Sequence, residues 1–215
     1  MKQSAYVRLA VFVLLLGVSC VWAQMPQPFS ADMTITPKTG EKVTGKMYVS
    51  PPKNRMDMTA PPGKGGPMGG SMSMITDGTT QTSYMVMHEQ KMYMEMHLNQ
   101  LANQMSPMTG HAPKAPASFD PAHPCAADAT CKKVGTETVN GRVCDKWLFT
   151  DKNGTTSTAW IDQRLFYPIR AQSSAGETFE LTNVKEGPQP ASLFQPPAGY
   201  KKMDLGSMMG GQRPH

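Results

Sequence analysis

Between residues 29 and 185, apolar and polar side chains alternate in short runs separated by clusters of turn-forming residues. A period of two is the mark of a half-buried β-strand. FSADMTIT (29–36) and VTGKMYVS (43–50) therefore read as strands around a PKTGEK turn, and RMDMT (55–59) follows the stiff Pro51-Pro52 pair. SMSMIT (71–76) runs into Asp77-Gly78, and QTSYMVMH and KMYMEMH flank Glu89-Gln90 as a hairpin. Both junctions carry turn chemistry. In the second half KKVGTETV meets RVCDKWLFT across Asn140-Gly141, the strongest short-range hairpin signal. Asp151 to Gly154 then turns into TTSTAWID (155–162), followed by LFYPIRAQS (165–173) and ETFELTNVK (177–185).

That pattern predicts eleven strands. Short connections imply antiparallel neighbours, because parallel pairs need long crossovers. A sheet this wide must curl, split or close. The expected fold is thus mainly β: one curved antiparallel sheet with one or two helices. LNQLANQM (98–105) is the helix candidate, with Leu98, Leu101, Ala102 and Met105 on one side. The stretches 60–70 and 106–130 are rich in Pro with Gly or Ala and read as flexible loops, and 204–215 reads as a disordered tail.

The N-terminus carries Lys2 and Arg8 before an apolar run from Leu9 to Val18, then Val21-Trp22-Ala23. This is the layout of a secretory signal peptide over 1–23, with the β-sheet domain over 24–203. The run is short for a bilayer span. Cys20 offers a lipoprotein alternative, which Gly17 fits poorly. Export to the periplasm is expected. Removing Lys2 and Arg8 lowers the formal net charge from +5 to +3, scattered along the chain. No basic block suggests nucleic acid as a partner.

Three cysteines follow Ala23: Cys125, Cys131 and Cys144. In an oxidising compartment one disulfide is expected. CAADATC lacks the close spacing and paired histidines of zinc sites. If Asn140-Gly141 is a two-residue loop, Cys144 lies opposite Glu137, and Cys131 is about 20 Å further along its strand. A bridge needs Cα atoms within about 7 Å, so Cys125 pairs with Cys131 and Cys144 stays reduced.

Methionine is the unusual feature: 19 in the chain, with five between Tyr84 and His97. A two-residue loop at Glu89-Gln90 sets position 87 against 92 and 85 against 94. Alternation then sends Met85, Met87, Met92, Met94 and Met96 to one side, and Tyr84, Val86, His88, Lys91, Tyr93, Glu95 and His97 to the other, more solvent-facing side. Met33, Met47, Met56, Met58, Met72 and Met74 form matching series on their own strands.

The order GKMYVSPPKNRMDM, MITDG and a tyrosine-bearing hairpin resembles the first half of bacterial lipoprotein carriers of the LolA and LolB type. WIDQRLFYPIR resembles their late strands, and ASLFQPPAGYKKM their C-terminal segment. The likeness runs loosely over residues 29–203, and the chain looks closer still to an exported bacterial family of unknown function. It implies an open half-barrel of about eleven antiparallel strands whose concave apolar face holds acyl chains. The chain departs from the carriers in lacking a helix before its first strand and in placing Met56 where an aromatic is usual.

Three readings compete for the methionines: adaptable core filler, a wall for an apolar ligand, or a Cu(I) site built from soft thioethers. The second is the preferred expectation, with Met33, Met47, Met56, Met58, Met72, Met74, Met85, Met87, Met92, Met94 and Met96 lining the cavity. No nucleophile elbow, metal-binding histidine pair or phosphate loop stands out. The expected protein is a non-enzymatic monomer without cofactor or metal. Its partner would be a lipid, an acylated protein or another envelope component.

Overall fold

A computed structural model describes residues 27–38, 42–59, 70–97, 130–152 and 154–203. The segment expected as a signal peptide, most of the two expected loops, the helix candidate at 98–105, Cys125 and the expected tail lie outside the described residues. The elements are β1 (Phe29–Thr36), β2 (Val43–Ser50), β3 (Lys53–Thr59), β4 (Ser71–Asp77), β5 (Thr82–Met87) and β6 (Met92–His97). They continue as β7 (Thr130–Val139), β8 (Arg142–Thr150), β9 (Thr156–Asp162), β10 (Pro168–Ser173), β11 (Thr178–Glu186) and β12 (Lys201–Met203). One 3-10 turn, Ala191–Phe194, precedes β12.

All twelve strands join one open, curved sheet in the order β12-β6-β5-β4-β3-β2-β1-β11-β10-β9-β8-β7. Two meanders, β1–β6 and β7–β11, are sewn together where β1 pairs with β11. This is the half-barrel that the carrier resemblance implies, with two corrections. Among the described residues there are twelve strands rather than eleven, and β12 runs parallel to β6, Lys201 beside Met92 and Met203 beside Met94. The long chain between β6 and β12 makes that parallel pairing possible, and a three-residue strand leaves too short a pattern to detect.

The turns set the expected registers, two residues between β7 and β8 and four, His88 to Lys91, between β5 and β6. Met85 faces Met94 and Met87 faces Met92, and Glu137 faces Cys144. Asn140 and Gly141 both take positive φ, as a tight primed turn requires. Beyond that turn the β7–β8 tip bends back across the sheet, and Asn140 Nδ2 donates to Leu181 O at 2.8 Å and to Glu180 Oε1 at 3.1 Å. It passes over β9 and β10 to reach β11, so this half is strongly curled.

Two apolar clusters hold the molecule. The larger joins Phe29, Met33, Met47, Leu165, Ile169 and Leu181, with Phe29 set edge-on to Tyr167 at 5.2 Å. The smaller joins Ile75, Val86 and Phe194 with Tyr48, Tyr84, Tyr93, Leu193 and Tyr200. Trp160, on the strand beside Trp147, is 7% exposed. It donates to Glu137 Oε2 at 2.6 Å and lies under the Lys146 and Arg170 cations.

Candidate functional site

Strand pairing converts the methionines into a grid. Directly opposed across β1 to β6 are Ala31, Met47, Met56, Met74, Met85 and Met94, with Met203 beyond them on β12. Two residues along each strand, on the same face, runs the parallel row Met33, Gly45, Met58, Met72, Met87 and Met92. Met96 stands opposite Ser83 in a third row. Directly opposed Cβ atoms lie about 4.5–5.5 Å apart, and the rows about 7 Å apart.

Over β3 to β6 this face has twelve positions, and nine are methionine. The others are Asn54, Thr76 and Ser83. It carries no charge, and no Leu, Ile or Phe. All eleven methionines expected on one face are there, but their burial divides them. Met33 and Met47 are 1% and 2% exposed and belong to the larger core cluster. Met87 and Met94 are also buried, whereas Met56, Met58, Met72, Met74, Met85, Met92 and Met96 remain partly open.

The row at Gly45 explains a local feature. A Cβ there would come within 1.9 Å of Asp57 O and 3.2 Å of Met33 Cε. Only glycine lets β3 approach β2 while the Met33 thioether lies across it.

The opposite face overturns one expectation. Tyr84, Val86, His88 and Tyr93 were to face solvent, yet Val86 is fully buried and the other three are half-buried. The segment carrying Leu193, Phe194 and Tyr200 packs on them. A polar network fixes it in place. Arg55 Nη1 donates to Leu193 O at 3.0 Å, its Nε to Asp57 Oδ1 at 2.6 Å and its Nη2 to Ser73 Oγ at 3.0 Å. Ser73 Oγ donates to Asp57 Oδ1 at 2.5 Å and lies 2.6 Å from His88 Nε2. His88 Nδ1 lies 3.0 Å from the Tyr200 hydroxyl.

Ser73 has one proton, and the Asp57 carboxylate takes it, so His88 Nε2 donates to Ser73. The group is a clasp. Its members lie on β3, on β4, in the β5–β6 turn and before β12, and only Arg55 drew attention in the sequence, by its place after the proline pair. A shallow depression of about 420 Å³ at β1, β2 and β11 is polar, with Lys46, Asp32 and Asn183 bonded to one another in it.

Cys144 is a free, fully buried thiol. Burial, reinforced by the Asp162 carboxylate, pushes it up to about 11. The Cys125–Cys131 pairing falls on a cysteine outside the described residues. Among the described residues no group of three or more His, Cys, Asp or Glu converges as a metal site.

Residues 30–167 match a family model described as "Domain of unknown function (DUF4412)". No curated protein matches. An uncharacterized conserved protein from Thermus thermophilus shares the fold, with TM-score 0.55 and 10% identity over 84% of this chain and 92% of that one. The Pseudomonas aeruginosa MucA/MucB complex structure gives TM-score 0.49 and 18% identity over 83% of this chain and 59% of that one. A LolA superfamily protein from Nitrosomonas europaea gives 0.36 and 11%, over 80% and 91%.

Proposed function

The chain belongs to the DUF4412 family of unknown function, and within it we propose an exported, non-enzymatic binding protein of the bacterial envelope. It holds a lipid, an acyl chain or another apolar molecule against the methionine face. The observation that carries this reading is the uncharged methionine grid on β3 to β6, most of it only partly buried, on a sheet whose opposite face is already covered by the chain's own C-terminal segment. Flexible thioethers adapt to ligands of varied shape. Each methylene buried contributes about 0.8 kcal/mol, so an acyl chain is held without a specific polar contact. The signal-like N-terminus supports export.

Uptake of a fluorescent fatty acid tests the reading. Met85→Leu with Met94→Leu keeps volume and apolarity, and such swaps usually cost under about 1.5 kcal/mol, so uptake persists nearly unchanged. Met74→Glu with Met85→Glu sets two charges in mid-face and abolishes uptake, because an unpaired charge resists desolvation by the acyl chain. Wild-type protein that takes up no fatty acid, or a charged variant that binds as well as wild type, overturns it.

A further inference from the structure

Apolar area accounts for a greasy face but not for its sulfur. Leucine supplies similar volume and area, and this chain uses ordinary hydrophobes freely elsewhere. On the reverse side of the same strands stand Ile75, Tyr84, Val86 and Tyr93, and Leu165, Ile169 and Leu181 fill the larger core. Nine methionines in twelve positions on one face of β3 to β6 is therefore a choice made at that face, not a bias of the whole chain.

We propose that Met72, Met74, Met85 and Met87 form a Cu(I)-binding site at the centre of this face. Met72 is directly opposite Met87, and Met74 directly opposite Met85, so the four Cβ atoms form a quadrilateral about 5 Å by 7 Å. Each sulfur stands two freely rotating bonds beyond its Cβ. Arms of that reach bring three or four sulfurs to one point above the quadrilateral without moving the backbone. Further thioethers flank it on both sides, Met56 and Met58 on β3, Met92 and Met94 on β6.

The chemistry of the donors selects the ion. Neutral thioethers are soft ligands that favour Cu(I), whereas Zn²⁺, Mg²⁺ and Ca²⁺ need imidazole, thiolate or oxygen ligands. The face offers none of the charged groups those ions require. It also has no lysine or arginine over β3 to β6 to repel a cation. His88, the nearest imidazole in sequence, is committed on the far side to Ser73 and Tyr200, so among the described residues the donors at this site are sulfur alone. Met72, Met74 and Met85 are partly open, which leaves the ion a way in, while buried Met87 forms the floor.

This site does not rest on the apolar-ligand reading, because copper and fatty acid are measured separately. The experiment is an anaerobic titration of the purified protein with Cu(I) held by a coloured chelator. A Cys144→Ala background removes the free thiol as a rival donor. The protein withdraws one Cu(I) per chain from the chelator, and X-ray absorption shows a first shell of sulfur alone. Replacing Met72, Met74, Met85 and Met87 together by Leu lowers the affinity at least about a hundredfold, equivalent to about 2.7 kcal/mol. Replacing the core pair Met33 and Met47 by Leu leaves it unchanged, and circular dichroism checks that both variants fold. The proposal is overturned if the parent protein leaves Cu(I) with the chelator, or if the fourfold leucine variant binds as tightly as its parent. Fatty-acid uptake in the fourfold variant reports on the other reading alone.

Discussion

Cys144 shows how one side chain's surroundings decide its chemistry. Its sulfur is fully buried, and its Sγ–H donates only weakly to Arg142 O at 3.5 Å. Burial raises the thiol from the ordinary 9.0 to about 11. A raised folded value means that the native state holds its proton longer than the unfolded chain does. The resulting stabilisation is complete below 9.0 and is lost as the pH climbs through about 11. Denaturant unfolding of wild type and Cys144→Ala across that window gives the check: the wild type loses stability more steeply with pH, and the difference disappears below 9.0. Gly45 is the counterpart in backbone space. Gly45→Ala forces β2 and β3 apart against Asp57 O and costs about 1–3 kcal/mol, the range for overpacking, measurable as a lower urea midpoint.

The 3-10 turn and β12 act as one strap. Phe194 is 4% exposed beneath Leu193 and Tyr200 and contacts the outer face of β4 to β6 through Ile75 and Val86. Arg55 and His88 clasp the strap at its two ends. Phe194→Ala should cost about 3–5 kcal/mol, as for other buried aromatics. The same change should raise hydrogen exchange selectively at β12 and β6, whose pairing the strap delivers. Uniform loosening of all strands instead would show that the strap is no separate unit. Arg55, Asp57 and Ser73 occupy alternate positions on two neighbouring strands, so their shared face was readable from the sequence. Their partners Leu193 and Tyr200 were not, because they lie 138 residues from Arg55 and 112 from His88.

At the scale of the whole sheet, two hydrogen bonds from Asn140 and the Arg142–Glu186 ion pair beside them close the second meander on itself. Asn140 serves two ends: its positive φ makes the β7–β8 turn, and its amide ties the tip to β11. Asn140→Gly keeps the turn, since glycine tolerates that φ, and removes the Asn140 bonds to β11 while leaving the Arg142–Glu186 ion pair. A loss of about 1 kcal/mol follows, the usual net worth of a hydrogen bond, with the β7–β8 pairing intact by hydrogen exchange. A loss of the hairpin itself would show that the tie carries the turn rather than the reverse. The mixed character of the sheet belongs to this scale too. β1 pairs with β11 across most of the chain, and β12 with β6 across about half of it.

The strands, their facing and the tight registers were all legible in the chain, because each depends on near neighbours. Alternation tells inside from outside within one strand, and a short turn centred on known residues leaves one register open, so Met85 meets Met94 and Cys144 meets Glu137. From those two rules the methionines collect on one face. Which face stays available was decided elsewhere. Backbone pairing is the same for any strand, so nothing local could say that β1 would choose β11, or that a three-residue segment would add itself to β6. The apolar outer face of β4 to β6 looked half-solvated because its cover, Leu193 to Tyr200, arrives from about a hundred residues away. Contacts over such separations are selected by the shape and burial of the assembled sheet, and they leave no period in the sequence to read.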